Sequence, residues 1–154
     1  MSARPAFASG HKIGGLAKHS WICLVCDAQF TTKPAKHTQC RGSNVKAHPT
    51  QAQHFASQAE ARRYMELRLL ERAGKVSSIE CQPKFELSVN GVRMGQYRAD
   101  FVYRDNKYHG PGRNYEEIKG GAMTEISDWK RRHAEAQYGV KITIVQMKSD
   151  RRAK

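Results

Sequence analysis

Apolar and polar positions along residues 54–147 fall into blocks whose pattern switches between helical and extended. Residues 55–73 (FASQAEARRYMELRLLERA) are rich in helix formers and have no internal Gly or Pro, so they predict a first helix with Gly74 as its C-terminal stop. Residues 78–89 and 92–104 carry β-forming side chains around Asn90-Gly91, the dipeptide that most strongly favours a tight hairpin. A polar loop broken by Gly and Pro follows, and residues 114–119 (NYEEIK) predict a third short strand. Gly120-Gly121 lead into a helical stretch over roughly 124–138, and residues 140–147 (VKITIVQM) are a β-branched run bounded by Gly139 and a basic tail. Helix, three strands, helix, strand is an order that suits a mixed sheet flanked by helices, an α/β or α+β fold.

The first third has no such pattern. Residues 1–20 mix Gly, Ser, Ala and Lys without apolar periodicity, and residues 41–53 have linker composition. The expected organisation is a basic arm at 1–20, a small module with its linker at 21–53, a core at 54–148 and a basic tail at 149–154. A chain of 154 residues excludes two full-sized domains.

Charge adds a partner class. The chain holds 27 Lys and Arg against 14 Asp and Glu, a formal charge of +13. Such a field favours a polyanion, nucleic acid first and an anionic membrane surface second. No apolar run approaches the roughly 20 residues of a bilayer span, and the first ten residues lack the apolar stretch of a signal peptide. A cytoplasmic protein with reduced cysteines, without a membrane partner, is the expectation.

Four residues of the N-terminal third have metal-ligand spacing. Cys23 and Cys26 are separated by two residues, as are His37 and Cys40, with ten residues between the pairs. Zinc favours tetrahedral sites of thiolate and imidazole, and such pairs chelate from single turns. The expectation is one structural zinc, with Trp21 and Phe30 as apolar cover and with His19 and His48 as other imidazoles able to serve as the fourth ligand. Cys81, alone in a strand, reads as a small buried apolar residue.

A second constellation is acidic. Period-two alternation in 114–119 sends Tyr115, Glu117 and Lys119 to one face and Asn114, Glu116 and Ile118 to the other. In the preceding strand, YRADFVY places Tyr97, Ala99, Phe101 and Tyr103 on one face and Arg98, Asp100 and Val102 on the other. A carboxylate among such bulky residues is costly to bury unless it is paired or binds a cation. On the first helix, Glu60 shares a stripe with Tyr64, Leu67 and Glu71, while Ser57-x-x-Glu60 is also a capping box in which Glu60 would bond to the backbone at the helix start.

A helix acid, a strand acid and then acid-x-lysine on the next strand resemble the PD-(D/E)XK nuclease superfamily. The stretches SQAEARRYMELRLLERAGKVSSIECQPKFEL, YRADFVY and EEIKGG are similar to its small phage-encoded endonucleases and Holliday-junction-resolvase-like members. The resemblance covers about residues 54–147, leaves the cysteine segment outside, and departs from the nominal motif in having Ala99 where Pro precedes the acid. It implies a restriction-endonuclease-like αβββαβ core. It also implies that Asp100, Glu117, Glu60 and the main-chain carbonyl of Ile118 bind Mg²⁺ or Mn²⁺, and that Lys119 orients or activates the attacking water. The chemistry agrees, because phosphodiester hydrolysis needs a cation to offset charge on the phosphorane, and hard Mg²⁺ prefers carboxylate oxygen.

Further candidates face nucleic acid. Gln82 is placed to touch the scissile phosphate or its water, and Thr124 to cap a helix whose N-terminus could hold a phosphate. Lys130, Arg131 and Arg132 form a charge run suited to tracking a phosphate backbone. Trp129 and His133, four apart, read as core-facing partners. The expected function is metal-dependent cleavage of DNA, branched or single-stranded, with a homodimer if two symmetric cuts are made. The alternatives are a non-catalytic zinc-containing nucleic-acid-binding protein and an RNA-processing nuclease.

Overall fold

The computed structural model describes residues 20–25, 27–30, 32–33, 52–107 and 112–147. In chain order the elements are β1 (Ser20–Cys23), β2 (Gln29–Phe30), β3 (Ala52–Phe55), α1 (Gln58–Arg72), β4 (Val76–Cys81), β5 (Lys84–Val89), β6 (Val92–Arg98), β7 (Phe101–Asp105), β8 (Arg113–Lys119), α2 (Glu125–Tyr138) and β9 (Ile142–Gln146). The fold is mixed α and β, as expected. No helix among the described residues is long and apolar enough to cross a membrane.

Helix α1 starts where the capping box predicts. The Glu60 amide donates to Ser57 Oγ at 3.1 Å, and the Glu60 carboxylate reaches back to accept from Ser57 Oγ at 2.9 Å and from the Ala56 amide at 3.3 Å. It stops at Gly74, whose φ of 70° lets the amides of Gly74 and Lys75 turn back to the carbonyls of Glu71 and Leu70. Ala61, Tyr64 and Leu67 form its buried stripe. The hairpin turn is at Asn90-Gly91, both with positive φ, between the paired residues Val89 and Val92.

The two long strands expected at 78–89 and 92–104 are each divided in two. One break falls at Gln82-Pro83, where Pro83 has no amide to donate and Gln82 adopts φ 55°; the other falls at Ala99-Asp100. Hydrogen bonds still join the strands through the break, from the Gln82 amide to the Asp100 carbonyl at 2.8 Å and from the Ala99 amide to the Pro83 carbonyl at 3.2 Å. The inner halves belong to a four-stranded sheet of order β4-β7-β8-β9, while β5 and β6 leave it as a two-stranded arm. Among the described strands, only β8 and β9 pair in parallel, through the α2 crossover.

Two hydrophobic clusters fill the two faces. Helix α1 packs Tyr64 and Leu67 on Phe55, Phe101, Ile118 and Ile22, while α2 packs Ala134 with Phe85, Leu87, Tyr97, Ala99 and Ile142. The break at Asp100 corrects the expected alternation. Tyr97 and Ala99 lie in the α2 cluster, whereas Phe101 and Tyr103 pack in the α1 cluster, because residues outside strand geometry shift the period by one.

The N-terminal strands are not a detached module. The expected boundary between residues 53 and 54 falls inside β3, which pairs with β1 from Ser20↔Phe55 to Cys23↔Ala52. Ile22 is fully buried in the same cluster as Leu67 and Phe101. Asp27, with φ 61°, is buried and ion-paired to Arg68, at 3.0 Å, and to Arg72 of α1.

Candidate active site

The site forms where β7 ends against β8. Asp100 sits in the break, its amide donating to the Glu116 carbonyl at 3.0 Å and its Oδ2 accepting from the Ile118 amide at 2.6 Å. One residue's N–H and C=O leave an extended strand on the same edge, so the Ile118 carbonyl also lies on the edge that faces Asp100. Burial pushes the Asp100 carboxyl up to about 6; the Ile118 hydrogen bond opposes this, the charges of Glu60 and Glu117 raise it further, and Lys119 lowers it. Asp100 therefore feels the charges of Glu60, Glu117 and Lys119.

Glu117 points to the α2 face and is 5% exposed. Its Oε2 accepts from the Tyr97 hydroxyl at 2.6 Å; its Oε1 lies 2.6 Å from Lys119 Nζ and accepts from Ser127 Oγ at 3.4 Å. The Tyr97 phenol, raised well above its ordinary value by burial and by the Glu117 carboxylate, stays a donor. Glu116 points the other way, as alternation requires. It is held by a two-pronged bond from Arg63 of α1, at 2.8 and 2.9 Å, and by the Tyr103 hydroxyl at 2.6 Å. Adjacent buried acids thus have different partners: Glu116 is tied to Arg63 on the α1 side, and Glu117 to Lys119, Tyr97 and Ser127 on the α2 side.

Among the described residues, no three His, Cys, Asp or Glu side chains are grouped closely enough to hold a metal ion. Glu60 acts on Asp100 through charge, while both its oxygens serve the α1 cap. A Mg²⁺ site therefore has two carboxylates to draw on, Asp100 and Glu117, with the Ile118 carbonyl beside them. That suits Mg²⁺, which usually keeps several waters and binds through one or two carboxylates plus phosphate oxygens. Asp100 fits in a second respect: Oδ1 has no hydrogen-bond partner among the described residues, in a position where burial and like charges disfavour ionisation unless a cation arrives.

The other candidates separate. Gln82 Nε2 donates to the His54 carbonyl at 3.3 Å, and its main chain backs Asp100, so it braces the break. Thr124 caps α2, accepting from the Ser127 amide at 3.2 Å. Arg131 is held within α2 by Asp128 and Glu135, both at 2.7 Å, and Arg132 pairs with Asp128 at 3.1 Å. Trp129 is not core-facing: it is 49% exposed and stands edge-on to His133, which contacts the Ser88 carbonyl of the arm. Cys81 packs against the α1 cluster, and burial pushes its thiol up to about 12. Cys23 is buried; its amide donates to the Ala28 carbonyl and its carbonyl accepts from the Asp27 amide, both at 2.9 Å. Cys26, His37, Cys40, His19 and His48 lie outside the described residues. Tyr97, Ser127, Arg63 and Tyr103 were missed by spacing arguments, because each reaches its acid from a different element.

The elements and this site define an α+β protein with a mixed four-stranded sheet and an acidic, lysine-bearing strand end. The chain belongs to the family described as Protein of unknown function (DUF1064), which matches residues 43–151. The match contains Glu60, Asp100, Glu117 and Lys119 and excludes β1, β2 and all four proposed zinc ligands. No curated protein and no solved structure matches the chain.

Proposed function

We propose that the protein is a metal-dependent nuclease that hydrolyses phosphodiester bonds in DNA. The observation that carries this reading is the half-buried Asp100 in the strand break, its Oδ2 bonded to the Ile118 amide at 2.6 Å between the two residues of the Glu117–Lys119 pair, whose own contact is 2.6 Å. Asp100, Glu117 and the Ile118 carbonyl would hold Mg²⁺ or Mn²⁺, with Glu60 as an outer acid. When bound, the cation supplies charge neutralisation for phosphate and a hydroxide near neutral pH. Lys119, its side chain 24% exposed, lies with Nζ 2.6 Å from Glu117 Oε1 and reaches solvent. It is therefore placed to steady negative charge building on a phosphate and to orient water. The formal charge of +13 supplies the long-range attraction for the polyanion.

Zinc belongs to this proposal as a structural crosslink of the N-terminal segment, through Cys23, Cys26, His37 and Cys40. The two main-chain hydrogen bonds that close the β1–β2 turn around Cys23 support a knuckle there. The cytoplasm, a branched or single-stranded substrate and a homodimer are proposed with the same reading.

The test is cleavage of branched, single-stranded and duplex DNA with Mg²⁺ or Mn²⁺. Chelator should stop it and Lys119→Ala should abolish it; full activity in Lys119→Ala refutes the assignment. A second reading, a nucleic-acid-binding protein without catalysis, is favoured by one fact: Glu117 already has Tyr97, Ser127 and Lys119 as partners. DNA binding without metal-dependent cleavage of any of these substrates would select it.

A further inference from the structure

The strand break that displaces Asp100 also carries Tyr97 to the α2 face, above Glu117. Tyr97 lies on the arm strand β6 and Glu117 on the central strand β8, so the two belong to different sheets. The Tyr97 ring is 5% exposed and packs on Phe85 at a centroid distance of 6.0 Å. Packing alone would be served by Phe; the hydroxyl adds a directed donor, 2.6 Å from Glu117 Oε2.

We propose that Tyr97 is a positioning residue for Glu117, fixing the rotation of its carboxylate so that Oε1 is presented to Lys119 and to a bound cation. The inference rests on the metal-dependent reading above. The terminal torsion of a glutamate is broad, so an unrestrained carboxylate turns freely. Here the arm donates to Oε2 and α2 donates to Oε1 through Ser127 at 3.4 Å, so the carboxylate is held from opposite sides. Partners of this kind orient metal-binding carboxylates, and their loss typically weakens metal binding about 10–100-fold.

The experiment is Mn²⁺ titration of the full chain, read by the paramagnetic resonance of free Mn²⁺, on wild type, Tyr97→Phe, Ser127→Ala and Glu117→Gln. Tyr97→Phe should bind Mn²⁺ about tenfold more weakly, and cleavage by this variant should recover towards wild type as Mn²⁺ is raised, a change in the metal requirement more than in the saturated rate. A merely structural tyrosine would lower the melting temperature and leave Mn²⁺ affinity unaltered, and that result overturns the inference while the nuclease reading stands. Wild type that takes up no Mn²⁺, or a Glu117→Gln variant that binds it as well as wild type, overturns both. If Tyr97→Phe fails to fold, Ser127→Ala decides: roughly threefold weaker binding is expected from losing one long hydrogen bond, and unaltered binding overturns the two-sided restraint.

Discussion

Asp100→Asn should stabilise the metal-free protein near neutral pH while removing metal-dependent cleavage. Burial, with the charges of Glu60 and Glu117, raises the Asp100 carboxyl from its ordinary 3.8 to about 6. The folded state therefore holds a proton that the unfolded state has released over this interval. Stability contributed by this group is greatest below about pH 4, falls as pH rises through 6, and above that carries the full cost of an ionised buried acid. At about 1.4 kcal/mol per tenfold, the difference between 3.8 and about 6 amounts to about 3 kcal/mol. Asparagine is neutral throughout and keeps an oxygen to accept from the Ile118 amide, so it escapes that cost.

The assay is chemical denaturation of both proteins at pH 4.5 and pH 8 in chelator, with the difference between variants cancelling the titrations that do not couple to Asp100. The expected gain for Asp100→Asn is about 1–3 kcal/mol at pH 8, or roughly 2–4 °C in melting temperature per kcal/mol, and about a third as large at pH 4.5, where the unfolded carboxyl is already mostly ionised. Adding Mn²⁺ at pH 8 should then stabilise wild type by mass action and leave Asp100→Asn unmoved. An asparagine variant less stable than wild type at pH 8, or a gain that does not vary with pH, would refute the reasoning.

Arg63→Ala strips the buried Glu116 of its one cationic partner among the described residues and leaves Tyr103 as its donor, so a loss of about 3 kcal/mol is expected in urea unfolding, and less than 1 kcal/mol would contradict a buried, paired acid. Deleting residues 1–50 removes β1, β2, the buried Ile22 and the Asp27 partner of Arg68; the melting transition should broaden and fall, and an unchanged melt would show that β3 onward folds alone. Measured against salt, Lys130→Ala should reduce the slope of DNA affinity by about one, whereas Arg131→Ala should alter it less, because Asp128 and Glu135 already hold Arg131; equal changes would refute that distinction.

Local signals in the sequence were strong where one segment settles its own structure. The capping box at Ser57 and Glu60, the stop at Gly74, the Asn90-Gly91 turn and the Thr124 cap all depend on neighbours within a few residues. The division of Glu116 and Glu117 between faces followed from period two alone. What alternation could not supply was the shift at Asp100: Pro83 hinted at one break, but the second arises because the partner strand must bend in register with it. The donors around the acids were hidden for a related reason. Tyr97, Ser127, Arg63 and Tyr103 come from β6, α2, α1 and β7, and only the packing of both helices brings them to one strand.

The bend explains why three acids are tolerated at one strand end. In an unbroken pair, the residue at position 100 would turn its side chain onto a helix-covered face of the sheet, and the Ile118 amide would pair with backbone. Because the chain leaves the sheet at Asp100, its carboxylate takes the place of a backbone acceptor for Ile118, at 2.6 Å, through one of its two oxygens. Glu117 is then compensated from the arm and from α2, and Glu60 from its own cap, so each acid has its own supporting element while their charges still meet at Asp100. Glu116 is matched by the guanidinium of Arg63, and Glu117 by Lys119, but among the described residues no cation is hydrogen-bonded to Asp100 itself. At Asp100 the hydrogen bond comes from an uncharged amide, and Lys119 lowers its carboxyl less than burial and the two acids raise it. That residual negative field is what a cation would offset under the proposed reading, and the Mn²⁺ response of wild type against Asp100→Asn tests it.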